Sequence, residues 1–260
     1  MIMSQDIENC AGLVQRGDPD RYLTAMTAPP EHRGALFVLY AFNLEVVRAP
    51  WVTSEPMIAE MRLQWWLDIL DEIYAGDEPR KHEVVTPLAE MIKTHQLPKE
   101  LFDGLIAARR WDVYKEPHAS AVNLERYLQD TTGNLMRLAV LATGGTDSEA
   151  LQQYGLGAGI ASLLTAVPAL ENAQKYPLVD GSVDGVQCLA QQGLDALRGA
   201  RGGLSQTPKS ARAALRAAWL AKPVLKAAIA SPHLVAQGNL RPPEFRNKIR
   251  LLWQSLTDSY

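Results

Sequence analysis

The sequence predicts an all-α fold, because apolar residues recur at helical spacing along most of the chain and no segment of any length alternates as a strand does. Short turns that contain proline or glycine separate these periodic segments. No internal repeat is visible, and 260 residues suffice to build one large core. We therefore expect a single helical domain over residues 1–260.

Proline and glycine turns delimit the helices expected in the first half of the chain. A helix over 31–47 ends before Pro50, and the next begins after Ser54, its expected N-cap, and ends near Gly76. This second helix is apolar around most of its circumference, so we expect it to be largely buried. Two amphipathic helices follow, over 84–95 and 99–114.

The second half of the chain predicts five further helices. Asn123 is the expected cap of a helix over 124–143, and Asp147 or Ser148 caps the next, which extends to Val167. The remaining helices are expected over 186–199, over 209–230 with a kink at Pro223, and over 244–259.

The uncharged segment 150–170 is long enough to cross a membrane. Its glutamines, hydroxyl side chains, three glycines and Pro168 make it too polar for such a span. We therefore expect a buried helix, in which Gly155, Gly157 and Gly159 let a second helix approach closely.

Composition excludes several functional classes. The formal net charge of −3 gives no indication of nucleic-acid binding, and Cys10 and Cys188 form neither a zinc motif nor a disulfide framework. Residues 1–22 carry four acidic side chains and no apolar core segment, so no secretory signal is expected. Without a signal peptide or a transmembrane helix, the expected location is the cytoplasm.

Asp68, Asp71 and Glu72 share one face of the expected second helix. Such carboxylates can hold Mg²⁺, and the metal can in turn hold a diphosphate leaving group. The alternative interpretation is a solvated acidic strip on the outside of the helix, and the motif by itself is weak.

Several strings of residues follow one another in an order that is specific. The clearest are Leu39-Tyr40-Ala41-Phe42 and Arg62-Leu63-Gln64-Trp65-Trp66, with further matches at 21–23, 72–76, 108–112 and 127–133. Together they resemble the squalene/phytoene synthase family. The resemblance implies an isoprenoid-synthase-like bundle with a central cavity, in which two aspartate-rich motifs hold magnesium against diphosphates. Candidates for the lining of that cavity are Tyr40, Phe42, Arg62, Trp65, Trp66 and Gly159.

Neither aspartate-rich motif is retained in the register that this resemblance implies. The acidic positions of the first motif are taken by Val47, Arg48 and Trp51, and those of the second by Ala166, Ala169 and Leu170. In the same register, Asp68 falls after the tryptophan pair and outside the metal site. The resemblance therefore implies no metal, no cofactor and no catalytic residue.

A scaffold without metal carboxylates resembles the non-catalytic branch of the family, which includes a mitochondrial assembly factor of respiratory complex I. The resemblance thus implies an interaction or assembly protein, whose partner is a complex I subunit or another assembly factor. In such a protein the cavity is either filled by tryptophans or open to an isoprenoid-like or quinone-like ligand.

The alternative is a divergent prenyltransferase that joins two allylic diphosphates with the help of magnesium. In that case Glu45, Asp68, Asp71 and Glu171 would replace the missing ligands. The two hypotheses differ in whether these carboxylates converge on one cavity.

Charge is distributed unevenly along the chain. Residues 1–195 carry 15 basic and 27 acidic side chains, whereas residues 196–260 carry 11 basic and 2 acidic ones. A face for an anionic membrane surface or an acidic partner is predicted by the helical spacing of Lys209, Arg212, Arg216 and Trp219. The membrane interpretation places the protein peripherally at the inner face of the membrane. The alternative is a solvated basic face that complements the acidic part of the same domain.

Overall fold

The computed structural model describes residues 4–53 and 55–260. Every regular element in these residues is helical, so the all-α prediction is confirmed. The expected cap residue Ser54 lies outside the described residues. Tertiary contacts divide the chain into two units, and the single domain over 1–260 stays a prediction. The first unit contains the residues up to Tyr114, Leu135–Asp147 and Thr207–Ala217, and the second contains Lys115–Asn134, Ser148–Gln206 and Ala218–Tyr260.

The helices are, in chain order, α1 (Gln5–Gly17), α2 (Pro19–Met26), α3 (Pro30–Arg48), α4 (Pro56–Ala75), α5 (Val85–His95), α6 (Lys99–Arg109), α7 (Ala121–Leu128), α8 (Asn134–Ala142), α9 (Glu149–Asn172), α10 (Val183–Leu204), α11 (Lys209–Leu215), α12 (Ala221–Ala230), α13 (His233–Ala236) and α14 (Glu244–Leu256). Short 3₁₀ turns over Arg110–Val113 and Arg216–Ala218 extend α6 and α11, and a π-helical turn over Gln129–Gly133 joins α7 to α8. Helices α3 to α6 lie close to their predicted positions, and α1, α2 and α13 are additional to the predicted helices.

Helix α3 forms the core of the first unit. Every residue from Leu36 to Phe42 is buried, because this segment is apolar on all sides. Helices α1, α2, α4, α5 and α6 all pack against it. The aromatic side chains of α3 are therefore enclosed from several directions.

Helix α4 is less buried than predicted. Leu63, Trp66 and Leu70 are buried, but Met57 and Met61 are 73% and 66% exposed. The main packing partners of α4 are α3, α6 and the adjoining 3₁₀ turn, which cover one face of the helix. Periodicity could not identify that face, because apolar residues surround most of the helix.

The helix predicted over 124–143 is interrupted by the π-helical turn. Its first part, α7, begins earlier than predicted, and the backbone N–H of Asn123 donates to the Oγ of the N-cap residue Ser120 at 3.2 Å. Asn123 was the expected cap, but it lies inside the helix and accepts a hydrogen bond from the same serine. The serine caps because it precedes the first helical residue directly.

The helix predicted over 209–230 is divided into two helices. The chain leaves α11 at Leu215, passes through a 3₁₀ turn and enters α12 at Ala221. Pro223, where a kink was expected, lies in the first turn of α12. A backbone N–H has no partner within the helix at that place, so proline is tolerated there without a kink.

Helix α9 is the central element of the second unit and extends through Pro168 to Asn172, beyond its predicted end. It packs against α7, the π-helical turn, α10, α12 and α13. By length and composition it could cross a membrane, yet 61% of its most apolar 18-residue window is buried within the chain. The prediction of a buried helix is confirmed.

The glycines of α9 lie where other elements cross the helix. A Cβ atom on Gly155 would lie 2.5 Å from the Cα atom of Gly133, and one on Gly157 would lie 2.7 Å from the carbonyl oxygen of Gly193. Side chains at these positions would overlap with backbone atoms. The predicted role of these glycines in close helix approach is confirmed.

Candidate functional site

The positions of the first predicted metal motif lie at the end of α3, in the first unit. Val47 is half-buried, Arg48 is exposed, and Trp51 is 46% exposed just beyond the helix. The guanidinium of Arg48 lies 3.6 Å from the carboxylate of Glu45. The acid considered as a substitute ligand therefore faces a cation, which would repel a metal ion.

The positions of the second predicted motif lie in the last turns of α9, in the second unit. Ala166 and Leu170 are half-buried, and Ala169 is exposed. The adjacent Glu171 is exposed and lines a cavity of about 300 Å³. Magnesium takes oxygen ligands, and none of the side chains at either set of motif positions supplies one. These residues do not fit magnesium.

The carboxylates on α4 are each held by a different neighbour. Asp68 accepts a hydrogen bond from Gln64 at 2.9 Å. Asp71 forms an ion pair with Lys99 at 2.9 Å, and Glu72 forms one with Arg80 at 2.6 Å. Within residues 4–53 and 55–260, no group of three or more His, Cys, Asp or Glu side chains is arranged to hold a metal ion. This arrangement favours the interpretation of the motif as an acidic strip.

Three of the predicted cavity residues belong to an aromatic cluster in the first unit. Phe42 packs edge-on against Trp66, with ring centroids 5.2 Å apart, and against Phe102 at 5.4 Å. Trp65 packs on Trp66 at 4.9 Å, and His82 lies against both tryptophans. Phe42 and Trp66 are almost completely buried. Aromatic side chains thus fill the space between α3, α4 and α6.

The other cavity candidates are not part of this cluster. Tyr40 is buried on α3, where the guanidinium of Arg21 lies 5.7 Å from its ring centroid. Arg62 is exposed on α4. Gly159 belongs to the second unit, where a Cβ atom would lie 3.2 Å from Leu128. Five of the six candidates therefore lie in the first unit, and Gly159 lies in the second.

The basic face predicted from Lys209, Arg212, Arg216 and Trp219 is not formed. Arg216 is 2% exposed and donates hydrogen bonds to the carbonyl oxygen and the hydroxyl of Thr27, at 3.2 and 2.9 Å. Trp219 is 5% exposed and belongs to the other unit. Lys209 is exposed and Arg212 is half-buried. The prediction is wrong because helical spacing does not show which face of α11 packs against α2.

Other basic residues come together in the second unit. A cavity of about 740 Å³, here called the basic pocket, is lined by residues of α9, α10, α12 and α14 and of the segments next to them. Its basic lining residues are Arg198, Arg201, Lys222, Lys226 and Arg250. The spacing of three residues between Arg198 and Arg201 in α10, and of four between Lys222 and Lys226 in α12, is visible in the sequence. The packing of these two helices against each other is not.

Helix α14 carries a row of exposed apolar side chains, here called the α14 stripe. Its members, all 52–77% exposed, are Phe245, Ile249, Leu252, Trp253 and Leu256. Their spacing places them along one side of the helix, while Asn247 and Leu251 are buried on the other. The sequence predicted this helix, but its spacing could not show that the apolar side faces solvent.

Known proteins resemble the chain over much of its length. The family model for squalene/phytoene synthase matches residues 14–168, which is more than half of the chain. The NADH dehydrogenase (ubiquinone) complex I assembly factor 6 of Bos taurus is 30% identical over 162 residues, which cover 61% of this chain and 48% of the relative. The Drosophila melanogaster homolog of that factor is 33% identical over 183 residues, which cover 66% of this chain and 53% of the relative. The chain thus spans about half the length of the curated relatives it matches.

Solved structures show the same fold at low identity. A dehydrosqualene synthase in complex with ligand has a TM-score of 0.81 and 16% identity, and the match covers 98% of each chain. Squalene synthase HpnC from Alicyclobacillus acidocaldarius has a TM-score of 0.71 and 20% identity over 90% of this chain and 94% of that one. These likenesses show an isoprenoid synthase fold, and the match to the family model shows membership. The chain belongs to the squalene/phytoene synthase family.

Proposed function

We propose that the protein is a non-catalytic member of its family that assists the assembly of respiratory complex I. The observation that carries this proposal is the set of side chains at the positions where the family resemblance places the two metal motifs. They are valine, arginine and tryptophan in the first and two alanines and a leucine in the second. Departure of a diphosphate needs metal ions to neutralise its charge, and these side chains cannot hold such ions.

The curated relatives support the assembly part of the proposal. Relatives from cattle and fruit fly, 30% and 33% identical to this chain, are named for complex I assembly. Because the chain spans about half of their length, its partner is part of the proposal. We expect that partner to be a complex I subunit or another assembly factor.

A strain that lacks the gene tests the assembly role. We expect native gels of its membranes to show less assembled complex I and unchanged amounts of another respiratory complex. The wild-type gene and the Asp71→Ala variant should both restore complex I, because Asp71 is exposed and pairs with Lys99 in this structure. An unchanged amount of complex I in the deletion strain would rule out the role.

A prenyltransfer assay tests the non-catalytic part. Purified protein incubated with magnesium and farnesyl or geranylgeranyl diphosphate should release no diphosphate. The matched pair of variants is Asp71→Ala and Glu8→Ala, the latter an exposed acid on α1. Diphosphate release that the first variant abolishes and the second retains would overturn the proposal in favour of a divergent prenyltransferase.

We also propose that the protein binds the surface of an anionic membrane through the α14 stripe. A helix with bulky apolar residues on one side and basic residues beside them is typical of a membrane interface. Helix α14 carries Arg246, Lys248 and Arg250 against Glu244 alone. Anionic headgroups attract such a segment by about 1 kcal/mol for each basic residue near the surface.

Co-sedimentation with vesicles tests this location. The full chain should sediment with vesicles of phosphatidylcholine and phosphatidylglycerol, and far less with phosphatidylcholine alone. Trp253→Glu should abolish sedimentation, because it places a charge in the stripe. Met61→Glu is the matched control, since Met61 on α4 is 66% exposed, as is Trp253. Equal losses in the two variants would contradict the α14 stripe as the contact.

A further inference from the structure

Part of the lining of the basic pocket, here called its floor, is apolar or aromatic. Leu194, Leu197 and Trp219 are buried among its lining residues, and the rings of Tyr154 and Tyr260 meet edge-on with centroids 5.9 Å apart. Its volume of about 740 Å³ lies in the range of small-molecule sites. The floor therefore fits an apolar or aromatic group of a ligand.

Five cations also line the pocket: Arg198, Arg201, Lys222, Lys226 and Arg250. Among the lining residues that the structure describes, none is acidic. Arg198 pairs with Asp195 at 3.1 Å. The other four cations form no ion pair within the described part of the chain. The pocket thus gathers four cations that have no acidic partner in the described residues.

Such a concentration of like charge is unfavourable without a counter-ion. The pKa of Lys222 is lowered, first because burial desolvates its ammonium and then because Arg201, Lys226, Arg198 and Arg250 repel its charge. A bound anion would relieve that repulsion. Gln254 adds an independent observation, because its buried side-chain oxygen has no hydrogen-bond partner among the described residues. A buried acceptor of this kind calls for a donor.

We propose that the basic pocket binds a phosphorylated small molecule whose remainder is apolar or aromatic. Arg201, Lys222 and Arg250 hold the phosphate, because guanidinium and ammonium groups donate charge-assisted hydrogen bonds to phosphate oxygens. A hydroxyl of the same ligand donates to Gln254. The apolar remainder lies on the floor of the pocket.

Two sources supply this chemistry, a free phosphorylated metabolite and the headgroup of an anionic phospholipid. Helix α14 carries Arg250 and Gln254 toward the pocket and the α14 stripe toward solvent. A lipid at that surface could therefore place its headgroup in the pocket. The pocket proposal depends neither on the assembly role nor on membrane binding.

Isothermal titration calorimetry of the full chain at low ionic strength tests the site with two probes. Inorganic pyrophosphate represents a free phosphate, and dihexanoylphosphatidylglycerol below its micelle concentration represents a headgroup without a membrane. We expect at least one probe to bind. Lys222→Gln and Arg250→Gln should each weaken it about tenfold, the loss expected for one charge-assisted hydrogen bond.

Arg126→Gln is the matched control, because Arg126 is exposed on α7 in the same unit and does not line the pocket. It should leave the affinity nearly unchanged. Removing one of several repelling charges should not destabilise the fold. Thermal melts of the two pocket variants should therefore match the wild type, which would show that a loss of binding arises at the site and not from unfolding.

The outcomes separate the two sources. If pyrophosphate binds and the pocket variants weaken its binding, the ligand is a free phosphate compound. If only the lipid binds and the same variants weaken its binding, the ligand is a phospholipid headgroup. No binding of either probe, or an equal loss in Arg126→Gln, would overturn the proposal. The Trp253→Glu variant should still bind whichever probe the wild type binds, because Trp253 does not line the pocket. A failure of the membrane proposal can therefore be distinguished from a failure of this one.

Discussion

Gly155 of α9 lies so close to Gly133 of the π-helical turn that a Cβ atom on Gly155 would be 2.5 Å from the Cα atom of Gly133. Both residues are buried. Glycine on the two elements lets their backbones meet without a side chain between them. This crossing therefore determines how closely α9 packs in the second unit.

The crossing predicts opposite effects for two glycine substitutions in the second unit. Gly155→Ala should lower the free energy of unfolding by about 1–3 kcal/mol, because the added methyl group must displace backbone. Gly199→Ala in α10 should raise it by about 0.5–1 kcal/mol, since no atom lies within 4 Å of the new methyl group. Urea denaturation followed by circular dichroism measures both, and equal effects would contradict a tight crossing.

Arg216 should contribute to stability and not to surface binding. Arg216→Ala should lower the free energy of unfolding by about 1.5–3 kcal/mol, because charged hydrogen bonds to Thr27 are lost. Arg246→Ala, which truncates an exposed arginine, should change it little. Thermal denaturation provides the measurement. Unchanged stability of the first variant would restore the interpretation of Arg216 as part of an exposed basic face.

Two tyrosines of the first unit should respond differently to loss of their hydroxyls. The buried hydroxyl of Tyr40 has no hydrogen-bond partner among the described residues, so Tyr40→Phe should retain or increase stability. The hydroxyl of Tyr74 donates to the carbonyl oxygen of Leu97 at 2.5 Å, so Tyr74→Phe should lower the free energy of unfolding by about 1 kcal/mol. Denaturant titrations measure the free energy of unfolding of both variants. A Tyr74→Phe variant more stable than the Tyr40→Phe variant would contradict this prediction.

Stability should decline at alkaline pH. Burial raises the pKa of Cys10 from 9.0 to about 12, with the charge of Glu83 adding to the effect, and burial also raises the pKa of Tyr40 from 10.0 to about 12. The unfolded chain releases these protons first, so the stabilisation is complete below about pH 9 and is lost as pH rises toward about 12.

Urea midpoints measured from about pH 8 to about pH 11, across the pH range in which the unfolded groups titrate, follow this decline. Cys10→Ala should make the decline shallower, because it removes one of the groups whose pKa is raised by burial. Cys188→Ala is the control, since Cys188 is exposed. A slope that is identical in all three proteins would assign the decline to other groups.

Helices α3 to α6 of the first unit could be predicted because local residues determine where they begin and end. Gly76, with a left-handed φ of 84°, ends α4 where the sequence predicts an end, and Pro98 directly precedes α6. The strings at 39–42 and 62–66 likewise indicate the family through the identity and order of their residues. These features depend on residue type and short spacing, which a sequence displays directly.

The candidate sites were harder to predict, because they depend on which helices meet. Arg216 and Trp219 share a helical spacing with the exposed Lys209, yet both are buried. Lys222 and Arg250 lie on separate helices, and no spacing in the sequence relates them. Their common position on one pocket results from packing within the second unit.

The sequence by itself determined the helical class, the glycines that permit close crossings and the strings of residues that indicate the family. Each of these follows from residue identity and from contacts between near neighbours. The tertiary structure decided which cations are buried, which gather around a pocket, and that the apolar side of α14 faces solvent. Burial and the local electric field depend on residues far apart in the chain, so only the folded arrangement determines them.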